Sequence, residues 1–73
     1  MKISITYWTQ WNYEPKAVSL AAIIKDKLDV QVTLIPEGRG IFDVVVDGRL
    51  IYSKYTTSSF PDAGQLIQEI GSI

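Results

Sequence analysis

"IFDVVVDGRLIYSK", residues 41–54, decides the architecture of this chain. Two β-rich runs flank Asp47-Gly48, a pair that favours a two-residue type I′ turn because both positions accept positive φ. The stretch reads as a hairpin of two antiparallel strands. Upstream, "DVQVTLIP" (29–36) alternates, with Val30, Val32 and Leu34 on one face, and Pro36 is expected to end it. "EGRG" (37–40) is a glycine-rich connector between that strand and the hairpin.

Further towards the N-terminus the period changes. From Pro15 to Leu28, residues Ala17, Leu20, Ala21, Ile24 and Leu28 form one stripe at helical spacing, while Lys16, Ser19, Asp26 and Lys27 lie elsewhere on the wheel. Pro15 fits only the first turn, where its missing N–H has no helical partner, so the helix starts within about a turn of Asn12. Before it, "KISITY" (2–7) alternates Ile3, Ile5 and Tyr7 against Ser4 and Thr6 and reads as the first strand. After the hairpin, "YTTSSFPDAG" (55–64) is a polar loop leading to a second helix. Pro61 and Asp62 suit its first turn, Ala63, Leu66, Ile67 and Ile70 supply its stripe, and Gly71 closes it.

The order is therefore β-α-β-β-β-α. A strand, a helix and a strand make a right-handed parallel crossover, and the hairpin adds antiparallel partners. The expected fold class is an α/β two-layer sandwich of the thioredoxin-like kind, a mixed four-stranded sheet with two helices, formed by residues 1–73 as one domain. In that arrangement the working position is the turn from the first strand to the first helix.

Composition removes several functions. The chain has 73 residues, near the size where a core only just offsets chain entropy, and its 47% hydrophobic content rules out intrinsic disorder. Seven basic and eight acidic residues leave a net charge of −1, giving no electrostatic reason to expect nucleic acid or a membrane surface. With no cysteine and no histidine there is no disulfide, thiol nucleophile, histidine base or usual zinc ligand. The N-terminus lacks the apolar core of a signal peptide, and the longest apolar stretch, around "LAAII", is too short to span a bilayer. The reading is a cytoplasmic domain with no cofactor and no metal.

Other residues have plainer roles. Asp43 takes a solvent-facing position of the strand alternation, and Asp47 serves its turn. Lys25, Lys27, Arg49 and Lys54 are solvated charges. "EGRG" lacks the full phosphate-loop pattern. Tyr7, Tyr13, Tyr52 and Tyr55 have no basic groove with which to stack on single-stranded nucleic acid.

"ITYWTQWNYEPKAVSLA", "GIFDVVVDGRLIYSK" and "FPDAGQLI", in that order, resemble the selenoprotein W-like (SelT/SelW/SelH, or Rdx) family. The resemblance spans nearly the whole chain and implies a thioredoxin-like fold with a thiol- or selenol-redox role. In that family a tyrosine ending the first strand precedes a Cys-x-x-Cys or Cys-x-x-selenocysteine turn. By position those two residues fall on Trp8 and Trp11. Thiol–disulfide exchange needs a thiolate to attack and a second chalcogen to resolve the mixed disulfide. An indole offers one N–H donor and an apolar face, so the chain as written is expected to lack dithiol oxidoreductase activity.

Three origins account for the tryptophans: a natural redox-inactive paralogue, an engineered sequence, or a misdecoded codon. The functional reading is a protein- or small-ligand-binding scaffold whose contact surface is Trp8, Thr9, Gln10, Trp11, Phe60 and Pro61. The resemblance places Phe60 and Pro61 close to the turn. The alternative is a structural homodimer with the tryptophans at its interface. Trp8 is expected to point away from the side taken by Tyr7, with at least one of the two indoles partly buried.

Overall fold

The computed structural model describes residues 1–57 and 60–72. Strand β1 (Ile3–Trp8) is followed by helix α1 (Tyr13–Leu28) and strand β2 (Val32–Glu37). Strands β3 (Phe42–Val46) and β4 (Arg49–Ser53) form the hairpin, and a short helix α2 (Lys54–Thr57) precedes helix α3 (Ala63–Gly71). The sheet order is β2-β1-β3-β4. β1 pairs in parallel with β2 and antiparallel with β3, so the expected β-α-β-β-β-α mixed sheet is the one observed.

Alternation in the two central strands builds the core. Ile3, Ile5 and Tyr7 of β1 and Phe42, Val44 and Val46 of β3 are all buried on one face. Ala17, Leu20 and Ile24 of α1 and Leu66 and Ile70 of α3 pack on that face. Val30, Val32 and Leu34 are half-buried at its margin. Each buried aliphatic side chain contributes about 1.5–3 kcal/mol relative to exposure, and in a chain of this size nearly all of that gain comes from one layer contact.

Helix ends follow local chemistry. Asn12 is the N-cap of α1 but makes no side-chain cap bond, whereas Asp62 caps α3 by accepting from the Gly64 N–H at 3.0 Å. α1 stops at Asp29, whose φ of 54° is left-handed and whose N–H donates to the Lys25 carbonyl at 2.9 Å. Gly71 is the last residue of α3, and Ser72 provides the C-cap.

Three sequence expectations need correction. β2 does not stop at Pro36: it continues to Glu37, with Pro36 opposite Tyr7. β2 is an edge strand, where proline's missing N–H breaks no ladder on the outer side. The region read as a polar loop over residues 55–64 contains most of α2, while its Ser58 and Ser59 lie outside the described residues. Ser53 starts that helical turn by accepting from the Tyr55 N–H at 3.3 Å. Finally, Asp43 is not simply solvent-facing. It does lie on the sheet face away from α1 and α3, between cross-strand partners Thr6 and Ser53, but α2 packs against β3 there. Its Oδ1 is consequently buried and without a hydrogen-bond partner.

Candidate functional site

The turn from β1 to α1 spans residues 9–12. At its entry the Trp8 N–H donates to the Ile41 carbonyl at 2.8 Å, fastening the end of β1 to the start of β3. Within the turn, the Tyr13 N–H reaches the Gln10 carbonyl at 3.4 Å. Trp11 takes a left-handed backbone with φ of 60°. For a bulky L-residue this conformation costs about 1–2 kcal/mol, because Cβ crowds the following carbonyl oxygen.

The two tryptophans differ in environment. Trp8 is half-buried and faces away from buried Tyr7, as the alternation predicts. Trp11 is 84% exposed. Their ring centroids are 6.0 Å apart with planes tilted by 34°, so the exposed indole rests against the half-buried one. Thr9 and Gln10 are exposed between them.

Phe60 and Pro61 are half-buried at the same end of the molecule, but neither indole packs directly on the Phe60 ring. The link is Tyr13. Its ring meets Trp8 edge-on at 5.4 Å and Phe60 at 4.9 Å, and Phe60 in turn meets buried Phe42 at 5.2 Å. Edge-to-face pairs of this kind contribute about 0.5–1.5 kcal/mol each beyond area burial. The result is a continuous aromatic row, Trp11–Trp8–Tyr13–Phe60–Phe42, running from the tip of the turn into the core.

Tyr13 was missed as a site residue by sequence reading. Its only local signal was an aromatic at the first position of a helix, two residues after Trp11. Lys54 also departs from its reading as a solvated charge. Its ammonium stands 5.7 Å from the Tyr13 ring centre and 5.5 Å from that of Phe60, while Lys16 stands 4.7 Å from the Phe60 ring. Cations at these distances are attracted by the ring quadrupole.

A second brace crosses the turn below the surface. The Tyr7 hydroxyl donates to Glu14 Oε1 at 3.4 Å, joining β1 to the first turn of α1. Burial raises the Tyr7 phenol above its ordinary pKa of 10.0, and the Glu14 carboxylate raises it further by repulsion and by holding the proton. Beside the turn, the 38–41 loop connects β2 to β3: the Tyr55 hydroxyl donates to the Arg39 carbonyl, and a Cβ added at Gly40 would stand 3.7 Å from the Tyr13 hydroxyl.

Fold and site together define the class: a two-layer mixed sheet whose strand-to-helix turn projects an aromatic pair. The chain belongs to the Rdx family, whose profile matches residues 2–72. It is 27% identical to selenoprotein W of Danio rerio, over 96% of this chain and 86% of that protein. The fold matches the crystal structure of a selenoprotein W-related protein from Vibrio cholerae with a TM-score of 0.92 at 24% identity, covering 97% of this chain and 92% of that one. A protein from Bordetella parapertussis matches with a TM-score of 0.89 at 26% identity, over 97% and 94% of the two chains. Family membership makes this a redox-family domain, yet it contains no cysteine.

No helix among the described residues is long and apolar enough to cross a membrane, and no cluster of acidic side chains among them is arranged to hold a metal ion.

Proposed function

We propose that this chain is a redox-family domain in which the dithiol turn has become W-T-Q-W and serves binding in place of electron transfer. Trp8 and Trp11 occupy the positions of the two chalcogens, so the protein performs no thiol–disulfide exchange. Its contact surface is Trp8, Thr9, Gln10 and Trp11, extended by Phe60 and Pro61 through Tyr13, and its partner is a protein or a small ligand.

The observation that carries this reading is the 84% exposure of Trp11 on a left-handed backbone. An exposed indole in a conformation that opposes it stabilises nothing by burial, and tryptophan is enriched among interface hot spots. Acrylamide quenching tests the surface: one tryptophan should quench readily and the other poorly. Uniform protection in a monomer would overturn the binding surface, whereas protection that disappears on dilution would identify a homodimer. Replacing both residues, Trp8→Cys with Trp11→Cys, should create a pair that oxidises intramolecularly and is reduced by dithiothreitol. Failure to oxidise would break the positional match with the redox motif.

A further inference from the structure

A groove of about 410 Å3 runs between α1 and α3, starting beside the W-T-Q-W turn. Buried Leu20 and Phe42 form its floor. Pro15 and Ile23 of α1 line one side and Phe60 and Pro61 the other. Its remaining polar lining is Asn12, Lys16 and Ser19, all from α1.

The charge in this groove is one-sided. Lys16 is the one charged residue on its lining among the described residues. Its ammonium lies over Phe60 and makes no ion pair there with a described carboxylate. Glu14 and Asp62, the chain neighbours of Pro15 and Pro61, keep their charge but are not on the lining: Glu14 accepts from the Tyr7 hydroxyl and Asp62 from the Gly64 N–H. Lys54 approaches the same Phe60 ring, adding a second cation and no anion. A ligand that buries an apolar group on Phe60 therefore meets the Lys16 and Lys54 ammonium groups beside that ring.

Resting on the reading of this end of the molecule as a binding surface, we infer that the groove takes a short turn-like segment of a partner protein with a bulky apolar side chain directly followed by Asp or Glu. The apolar side chain lies on Leu20, Phe42 and Phe60, and the carboxylate pairs with Lys16. The volume falls near the lower end of ligand pockets, about 300–1,000 Å3, which suits a few residues rather than a whole helix.

The test uses the full chain, labelled with nitrogen-15, and two end-blocked peptides that differ only in a Phe-Glu or Phe-Lys pair. The Phe-Glu peptide should give saturable amide shifts at Asn12, Ser19 and Ile23. It should bind about three- to fivefold tighter than the Phe-Lys peptide, a margin that shrinks as salt is added. Lys16→Glu should reverse the preference, and Lys16→Gln should abolish it. Equal binding of both peptides, or no saturable shift in the groove, overturns the proposal. Shifts confined to the two indole N–H signals also overturn it, while leaving the W-T-Q-W surface in place as the binding site.

Discussion

Among the described residues four non-glycines take positive φ, Trp11, Asp29, Arg39 and Asp47, and in the turns that hold Asp47 and Trp11 sequence and backbone relate in opposite ways. At the hairpin, Asp47 has φ of 51° and Gly48 of 81°, values that aspartate tolerates and glycine adopts freely. The turn is also tied to the start of β1: the Asp47 N–H donates to the Lys2 carbonyl at 2.8 Å and Asp47 Oδ1 accepts from the Lys2 N–H at 2.7 Å. In the W-T-Q-W turn, a tryptophan takes φ of 60° with its ring in solvent. Where residue and backbone agree, the turn serves the fold. Where they disagree, the backbone conformation works against the residue that holds it.

The contrast can be attacked experimentally. The largest effect is expected at Tyr13, which joins the exposed turn to the core. Tyr13→Ala removes its ring contacts to Trp8, Phe42 and Phe60 and should destabilise by about 2–3 kcal/mol in urea denaturation. A loss below about 0.5 kcal/mol would mean that the aromatic row is a surface decoration. Next comes the hairpin: Gly48→Val places a β-branched residue at φ of 81° and should cost about 1–2 kcal/mol. A neutral result would remove the distinction between the two turns.

Trp11→Gly should move stability by less than about 1 kcal/mol, because relief of the left-handed strain is offset by glycine's greater freedom in the unfolded chain. Destabilisation well beyond that would make Trp11 a structural residue and undo the comparison.

The smallest effect concerns the brace beneath the turn. The Tyr7 phenol has a raised pKa in the folded state, so its contribution is complete below the unfolded value of 10.0 and is lost as pH rises from there through the folded value. Alkaline titration followed by tyrosinate absorbance should show a late-titrating tyrosine, and Tyr7→Phe should remove that component together with its share of the alkaline loss of stability. Titration of every tyrosine at the ordinary value would dissolve the brace.

Much of this was legible in the chain itself. Period two in "KISITY", the helical stripe from Ala17 to Leu28 and the Asp47-Gly48 signal depend on neighbours in sequence, and each element formed where its pattern lay. Pro36 was misread as a terminator because a proline stops a central strand but not an edge strand, and edge status belongs to the sheet order. Asp43 was placed on the correct face, yet whether that face meets water depended on α2, four residues long and without enough periodicity to register. The site divided in the same way. Trp8 and Trp11 stood out through spacing and resemblance, whereas Tyr13 gained its role only when Phe60, far along the chain, packed at 4.9 Å from it.

The sequence by itself determined the strand and helix order, the inward faces and the absence of any thiol, because periodicity, turn chemistry and composition are local properties. Tertiary structure alone decided that Trp11 stands in solvent while Trp8 is half-covered, that one tyrosine carries the turn into the core, and that Lys16 and Lys54 converge on Phe60. Those outcomes depend on which surfaces meet when α1 and α3 pack on one face of the sheet, and residues far apart in the chain set them jointly.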